Sequence, residues 1–308
     1  MVTYVDDFLT AAGDGMMRAL LGKIRETWVC SEPEFAEKGK TMRYCGYDIE
    51  KLEKGYALRQ TNYVRDLLRR RGVKGTEMVP MMKAEEGEDE VGAPIEATRA
   101  AQAITGELSW LAQRTRPDIG FAVSFMSRMI HKRPTYVCRI GDHVLAYLNG
   151  TTSHGLIYSG EGDREVLEIY ADSSYGPSHE NYKSIQGAAA GHQGSMLQWE
   201  STKQPFVAQS TAEAELLAYN EAYQMGEAMS SLLEVLHFKM GKRLHGDSKA
   251  ALALCLNESG HWRTRHLRLR ATKLREALQV EKTWEAVHQE GGDLVADGLT
   301  KPSKEPHF

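Results

Sequence analysis

The spacing of apolar and polar positions changes several times along the chain, and each change marks an element. Val2–Val5 and Phe8–Ala11 are short apolar runs on either side of Asp6-Asp7, the pattern of a hairpin with an acidic tip. Met16, Leu20 and Ile24 recur every four residues, which predicts a helix over Gly15–Thr27. Tyr44–Ile49 and Tyr56–Gln60 read as strands, and Thr61–Arg71 as a short helix with a basic end. Residues 85–90 then carry five acids in six positions and read as a solvated, mobile linker, because like charges repel and none can be buried.

From Ala97 to Leu148 the period is helical. Thr98–Gln113 and Asp118–Ile130 are separated at Arg116-Pro117, and a third helix over Tyr136–Leu148 stops at Asn149-Gly150. Strand patterns follow at Leu156–Ser159, Val166–Asp172, Ile185–His192 and Ser195–Glu200, the last two separated by Gln193-Gly194 as an antiparallel pair would be. A long helix is predicted over Thr211–His237, a strand at Arg243–Gly246, and helices at Ser248–Asn257 and Thr264–Val280. A strand at Thr283–His288 and a short helix from Asp293 complete an α/β order with a mixed sheet.

Composition narrows the class without naming a chemistry. The 308 residues allow two or three domains, and 42% hydrophobic with 26% charged residues is ordinary for a globular protein. A net charge of -4 does not advertise a nucleic-acid partner, so any basic surface must be local. Cys30, Cys45, Cys138 and Cys255 form no C-x-x-C pair, which argues against a zinc site or a disulfide framework. No apolar run approaches the ~20 residues of a membrane span, and the start has no basic signal-peptide region. An intracellular protein with no membrane partner is expected.

Four carboxylates stand where chemistry is possible. Asp172 ends an apolar strand, where it serves either a ligand or a turn. Ser210-Thr211-Ala212-Glu213 is a capping box, which gives Glu213 a structural role; Glu215 projects from another face, as a ligand or as a first-turn surface acid. Asp247 follows a strand and precedes a helix, so it is a ligand or an N-cap. Asp297 lies four residues after Asp293, which looks like the cap of the last helix. Together, two acids on strand ends and two on early helical turns can converge in a mixed sheet. Four carboxylates without a His or Cys cluster favour magnesium or manganese over zinc. Two such ions clamp the attacking and leaving oxygens of a phosphodiester.

The motifs have a family likeness. Tyr170-Ala171-Asp172, Lys203-Gln204-Pro205, Ser210-Thr211-Ala212-Glu213-Ala214-Glu215, Gly246-Asp247-Ser248-Lys249-Ala250, Arg263-Thr264-Arg265-His266 and Leu294-Val295-Ala296-Asp297-Gly298-Leu299-Thr300-Lys301-Pro302 resemble the successive motifs of copia-type ribonuclease H domains. Upstream, Tyr4-Val5-Asp6-Asp7 resembles the acidic hairpin of a reverse transcriptase palm. Gly46-Tyr47-Asp48-Ile49, Thr115-Arg116-Pro117-Asp118-Ile119-Gly120 and Tyr147-Leu148-Asn149-Gly150-Thr151 match the downstream pattern of copia-type retrotransposon Pol polyproteins. The likeness covers nearly the whole chain.

It implies an α/β fold: a ribonuclease-H-like mixed five-stranded sheet with flanking helices, preceded by a truncated palm and thumb and a helical connection segment. The expected division is a polymerase remnant over 1–82, an acidic linker over 83–97, the connection over 98–155, the nuclease over 156–302 and a tail over 303–308. Asp172, Glu215, Asp247 and Asp297 are implied to be the catalytic, metal-binding set for two Mg2+ ions, with Mn2+ as a substitute and Asp172 bridging both. Where the family usually has a second acid and a Trp after the first Asp, this chain has Ser174 and Tyr175. His288 lies where cellular and retroviral relatives carry a mobile His that the copia family usually lacks, and reads as structural. Asp6 and Asp7 read as a vestigial half-site, because the other polymerase groups lie upstream in the family.

On the Thr264–Val280 helix, Leu267, Ala271, Leu274 and Leu278 share one face. Arg263, Arg265, Arg268, Arg270, Lys273 and Arg275 lie off it, as a solvated basic face or as phosphate contacts to an RNA–DNA hybrid. Arg69-Arg70-Arg71 with Lys74 is a second basic cluster. The expected function is metal-dependent endonucleolytic hydrolysis of the RNA strand of RNA–DNA hybrids, attached to a polymerase portion that does not polymerise alone. The alternatives are an inactive transposon-derived fragment that at most binds nucleic acid, or a part of a reverse transcriptase completed by another chain. Upstream reverse transcriptase or integrase portions are further expected partners, in a cytoplasmic virus-like particle or the nucleus.

Overall fold

The computed structural model describes residues 1–81, 84–85, 87–177, 181–256 and 265–302, with the side chains of Arg265, His266 and Arg268 left aside. Val2–Tyr4 (β1) and Asp7–Leu9 (β2) pair antiparallel with Tyr4 opposite Asp7, so the turn is Val5-Asp6 and Asp7 belongs to the second strand. Val5 takes φ 51, a conformation rare for a β-branched residue. The helix α1 (Asp14–Thr27) follows.

Tyr44–Ile49, which reads as one strand, is instead a hairpin. β3 (Thr41–Tyr44) and β4 (Tyr47–Lys51) are joined by Cys45 and Gly46 at φ 49 and 83. Two successive left-handed residues give the turn whose twist matches antiparallel strands, but a Cys in the first position hides it from pattern reading. β5 (Tyr56–Arg59) and α2 (Thr61–Arg71) come next; α2 ends on Gly72, whose left-handed φ of 64 closes the helix.

Three helices, α3 (Ile95–Ala112), α4 (Gly120–Met129) and α5 (Pro134–Gly150), close with α2 around one core that includes Leu67, Leu108, Phe125, Val137 and Leu148. The acidic run is not simply a solvated linker. Glu90 accepts the backbone N–H groups of Thr135 and Tyr136 at 2.9 and 3.1 Å, and the Glu85 amide donates to the Tyr136 hydroxyl. The free N–H groups and positive dipole end of α5 attract the Glu90 carboxylate, which the charge pattern alone does not show. A second correction concerns Leu156–Ser159. This segment does not open the five-stranded sheet that follows: β6 (Gly155–Tyr158) pairs with β5, Leu156 opposite Leu58, in a sheet ordered β3-β4-β5-β6.

The second sheet is built from β7 (Val166–Ser174), β8 (Ile185–His192), β9 (Ser195–Lys203), β10 (Gly241–Gly246) and β11 (Trp284–His288). Its order is β11-β10-β7-β8-β9: β7, β8 and β9 run antiparallel, while β10 is parallel to both β7 and β11. This is the mixed five-stranded sheet with flanking helices that the motifs imply. Leu167, Ile169 and Ala171 of β7 alternate inward against Leu216, Tyr219 and Ala222 of α6 (Thr211–Val235). α7 (Lys249–Leu256) follows β10.

The stretch read as one helix over Thr264–Val280 is broken into α8 (Arg265–Arg270), α9 (Thr272–Arg275) and a π turn at Glu276–Val280. Its expected apolar face, Leu267, Ala271, Leu274 and Leu278, is buried, and Ala277 joins it. The extra residue of the π turn fits with this wider seam. Two 3-10 turns, Gly291–Asp293 and Val295–Leu299, complete the described fold. Among the described residues no helix is long and apolar enough to cross a membrane.

Candidate active site

The parallel register of β7 and β10 brings the first two acids together. The last paired residues are Tyr170 and His245, and Asp172 and Asp247 each lie two residues further on. Both strands therefore deliver a carboxylate to the same end of the sheet, towards their C-terminal residues. Asp247 is not the helix cap that the sequence allows: Ser248 Oγ accepts the Ala251 amide at 3.2 Å and fills that role. The Ser248 amide donates to the buried Tyr219 hydroxyl, which ties the Asp247 turn to α6.

The first turn of α6 adds the third acid. Glu213 and Glu215 are both buried, yet their surroundings differ. Ser210 Oγ accepts the Glu213 amide, while Glu213 Oε2 accepts the Gln209 amide at 2.8 Å and Oε1 lies 3.4 Å from Arg270 Nε. Glu213 is thus committed to capping and an ion pair. Glu215, only 7% exposed, is not a surface acid. Its Oε1 accepts the Ser173 hydroxyl at 2.8 Å, and its buried Oε2 has no hydrogen-bond partner among the described residues.

Asp172, Glu215 and Asp247 each offer an oxygen within 4.8 Å of the others. Asp297, 9% exposed, is close enough to act on Asp172 but stands outside this converging trio. Its Oδ1 meets the Lys301 ammonium at 2.5 Å. Asp293 is not a side-chain cap for the turn that carries Asp297; that turn starts at Leu294 without one. Thr300 donates its hydroxyl to Asp172.

The electrostatics suit a divalent cation. Burial, opposed by the Thr300 bond and reinforced by Asp297 and Asp247, lifts Asp172 to about 6. Burial, then the Asp172 charge, lifts Glu215 to about 8. Oxygen-only donors, mutual repulsion and an orphaned buried oxygen together fit a hard divalent ion held by these residues.

A glycine makes the fourth acid's approach possible. Gly187 of β8 lies opposite Asp172, and a Cβ there would come within 2.8 Å of the Ala296 carbonyl oxygen and of Leu299 Cβ. Thr300, Lys301, Ser173 and Gly187 are not singled out by the sequence reading. Thr300 and Lys301 do fall inside the last quoted motif, which was the available signal.

The remaining sites separate. His288 Nε2 donates to the Asp247 main-chain oxygen at 2.9 Å. Arg263 lies outside the described residues, and Arg265 and Arg268 are placed only by the α8 backbone. Lys273 is exposed and pairs with Glu276, whereas Arg275 donates to the Leu254 main-chain oxygen. Arg275 is therefore engaged in joining α9 to the end of α7. Asp6 and Asp7 are exposed on the separate β1–β2 ribbon.

No protein-family model matches the chain. The retrovirus-related Pol polyprotein from transposon RE1 of Arabidopsis thaliana is 27% identical over 315 aligned residues, covering 100% of this chain and 21% of that protein. The corresponding polyprotein from transposon TNT 1-94 of Nicotiana tabacum is 26% identical, covering 98% and 23%. The chain thus spans about a fifth of the length of these relatives. Among solved structures, LC11 ribonuclease H1 isolated from compost is 14% identical, with a TM-score of 0.34, over 45% of this chain and 94% of that one. The motifs stand in order along the chain and these relatives align with it from end to end, so the chain is similar over its whole length to the Pol polyproteins of retrovirus-related transposons.

Proposed function

We propose that this domain hydrolyses the RNA strand of RNA–DNA hybrids endonucleolytically, with Asp172, Glu215, Asp247 and Asp297 holding divalent ions. The observation that carries the reading is the convergence of Asp172, Glu215 and Asp247, with one buried Glu215 oxygen left without a partner among the described residues. Bound magnesium or manganese supplies Lewis-acid stabilisation of the attacking and leaving oxygens.

The chain's own residues prepare that site. Ser173 orients Glu215 and Thr300 orients Asp172, so both carboxylates are fixed before a ligand arrives. Tyr219 steadies the turn that presents Asp247. Exposed Lys273 is a candidate contact to the hybrid backbone, together with the basic positions of α8. Further portions of the polyprotein, reverse transcriptase and integrase, are the proposed protein partners, in a cytoplasmic particle or the nucleus.

Cleavage of a labelled RNA–DNA hybrid, with magnesium and with chelator, tests the reading. Asp172→Asn is nearly isosteric but lacks the charge that holds a dication, so it loses magnesium-dependent cleavage while keeping its circular dichroism. Cleavage by Asp172→Asn at the parent rate would sink the metal-dependent reading.

A further inference from the structure

Four carboxylates gathered at one end of the sheet repel one another, and the protein meets this with a cation of its own. The Lys301 ammonium lies 2.5 Å from Asp297 Oδ1, and its charge also acts on Asp172 and Asp247. Asp297 is the acid of the four that does not join the converging trio, and it is the one that Lys301 holds. The Lys301 side chain is 54% exposed, so its ammonium can leave Asp297 and become hydrated, at the cost of a buried Asp297 charge that a bound dication would then neutralise. An ammonium and a dication cannot both rest against one carboxylate oxygen without strong like-charge repulsion.

We infer that Lys301 is an internal counter-cation that competes with the second divalent ion for Asp297, so that the ions load in order. Asp172, Glu215 and Asp247 would hold the first ion, and Asp297 would be available to a second only where Lys301 gives it up. The inference rests on the metal-dependent reading above and assigns Lys301 as a positioning residue, acting through Asp297. The consequence is a site that stays stable while metal-free and completes itself only when cation is sufficient.

Calorimetric titration of the full chain with Mn2+, without nucleic acid, tests this beside thermal melting in chelator. The parent binds one ion well and a second weakly or undetectably. Lys301→Gln binds the second ion roughly fivefold or more tightly than the parent, as loss of one half-exposed ion pair implies. Its metal-free melting temperature falls, because Asp297 loses its counter-charge. Lys301→Arg keeps the charge and restores parent behaviour on both measures. If the parent binds Mn2+ and Lys301→Gln matches it in both affinities and in metal-free melting, Lys301 is a surface lysine and the inference is overturned. If neither protein binds Mn2+, the metal-dependent reading fails, and this inference with it.

Discussion

Replacing Glu215 by Gln separates what its charge costs the fold from what it gives the site. Burial, then the Asp172 charge, raise this carboxyl from an ordinary 4.5 to about 8. In metal-free protein the folded state therefore keeps a proton that the unfolded chain releases. The stability contributed by this protonation is fully present below 4.5 and is lost as pH rises through about 8. Gln carries no charge at any pH and can still accept the Ser173 hydroxyl. A displacement from 4.5 to about 8, at ~1.4 kcal/mol per pH unit, sets a ceiling of about 5 kcal/mol. Relaxation and water entry reduce that, so Glu215→Gln is expected to be more stable than the parent by on the order of 2 kcal/mol at about pH 9. The gain should shrink towards zero at about pH 4, where both side chains are neutral. Urea unfolding in chelator across this range measures it. The same variant should lose magnesium-dependent hybrid cleavage, because a ligand is gone. A Glu215→Gln protein less stable than the parent at high pH, or shifted equally at every pH, would refute the argument that buried charge is what this residue costs.

Other substitutions test neighbouring claims. Glu213→Gln should keep most of the cleavage activity, since an amide oxygen still accepts the Gln209 N–H; a folded but inactive variant would move the ligand assignment on α6 by two residues. Gly187→Ala should lower cleavage at least about tenfold with an unchanged far-ultraviolet spectrum, because its Cβ pushes the Asp297 turn away from Asp172; parent activity would show that the turn adapts freely. Arg275→Gln should cost about 1 kcal/mol in urea unfolding by losing the bond to Leu254, whereas Lys273→Gln should leave stability unchanged and reduce the salt slope of hybrid binding by about one. Equal effects of the two on binding would return Arg275 to the phosphate-contacting face.

Much of this protein is decided locally, and local signals are legible in sequence. Thr61–Arg71 is a helix over the residues read as one, and Ser210 caps α6 as read, while Glu213 reaches back one residue further than the capping box requires, to the Gln209 amide. The apolar seam Leu267, Ala271, Leu274 and Leu278 is buried as its spacing requires, though the backbone that carries it is broken. Glu213 and Glu215 were separable because a capping role follows from a four-residue pattern. What sequence could not decide involved partners far along the chain. Whether Leu156 opened one sheet or closed another depended on Leu58, to which it pairs. Glu90 looked like one solvated acid among five until the start of α5 supplied two free N–H groups. The oxygens of Asp172, Glu215 and Asp247 come within 4.8 Å of one another only through a parallel register and a helix packed across it, which no single one of their motifs shows. Asp297 pairs with Lys301, a contact within one turn whose significance depends on the acids delivered by three other elements. Periodicity and capping are short-range and survive in one dimension; burial, repulsion and register are properties of residues that only folding makes neighbours.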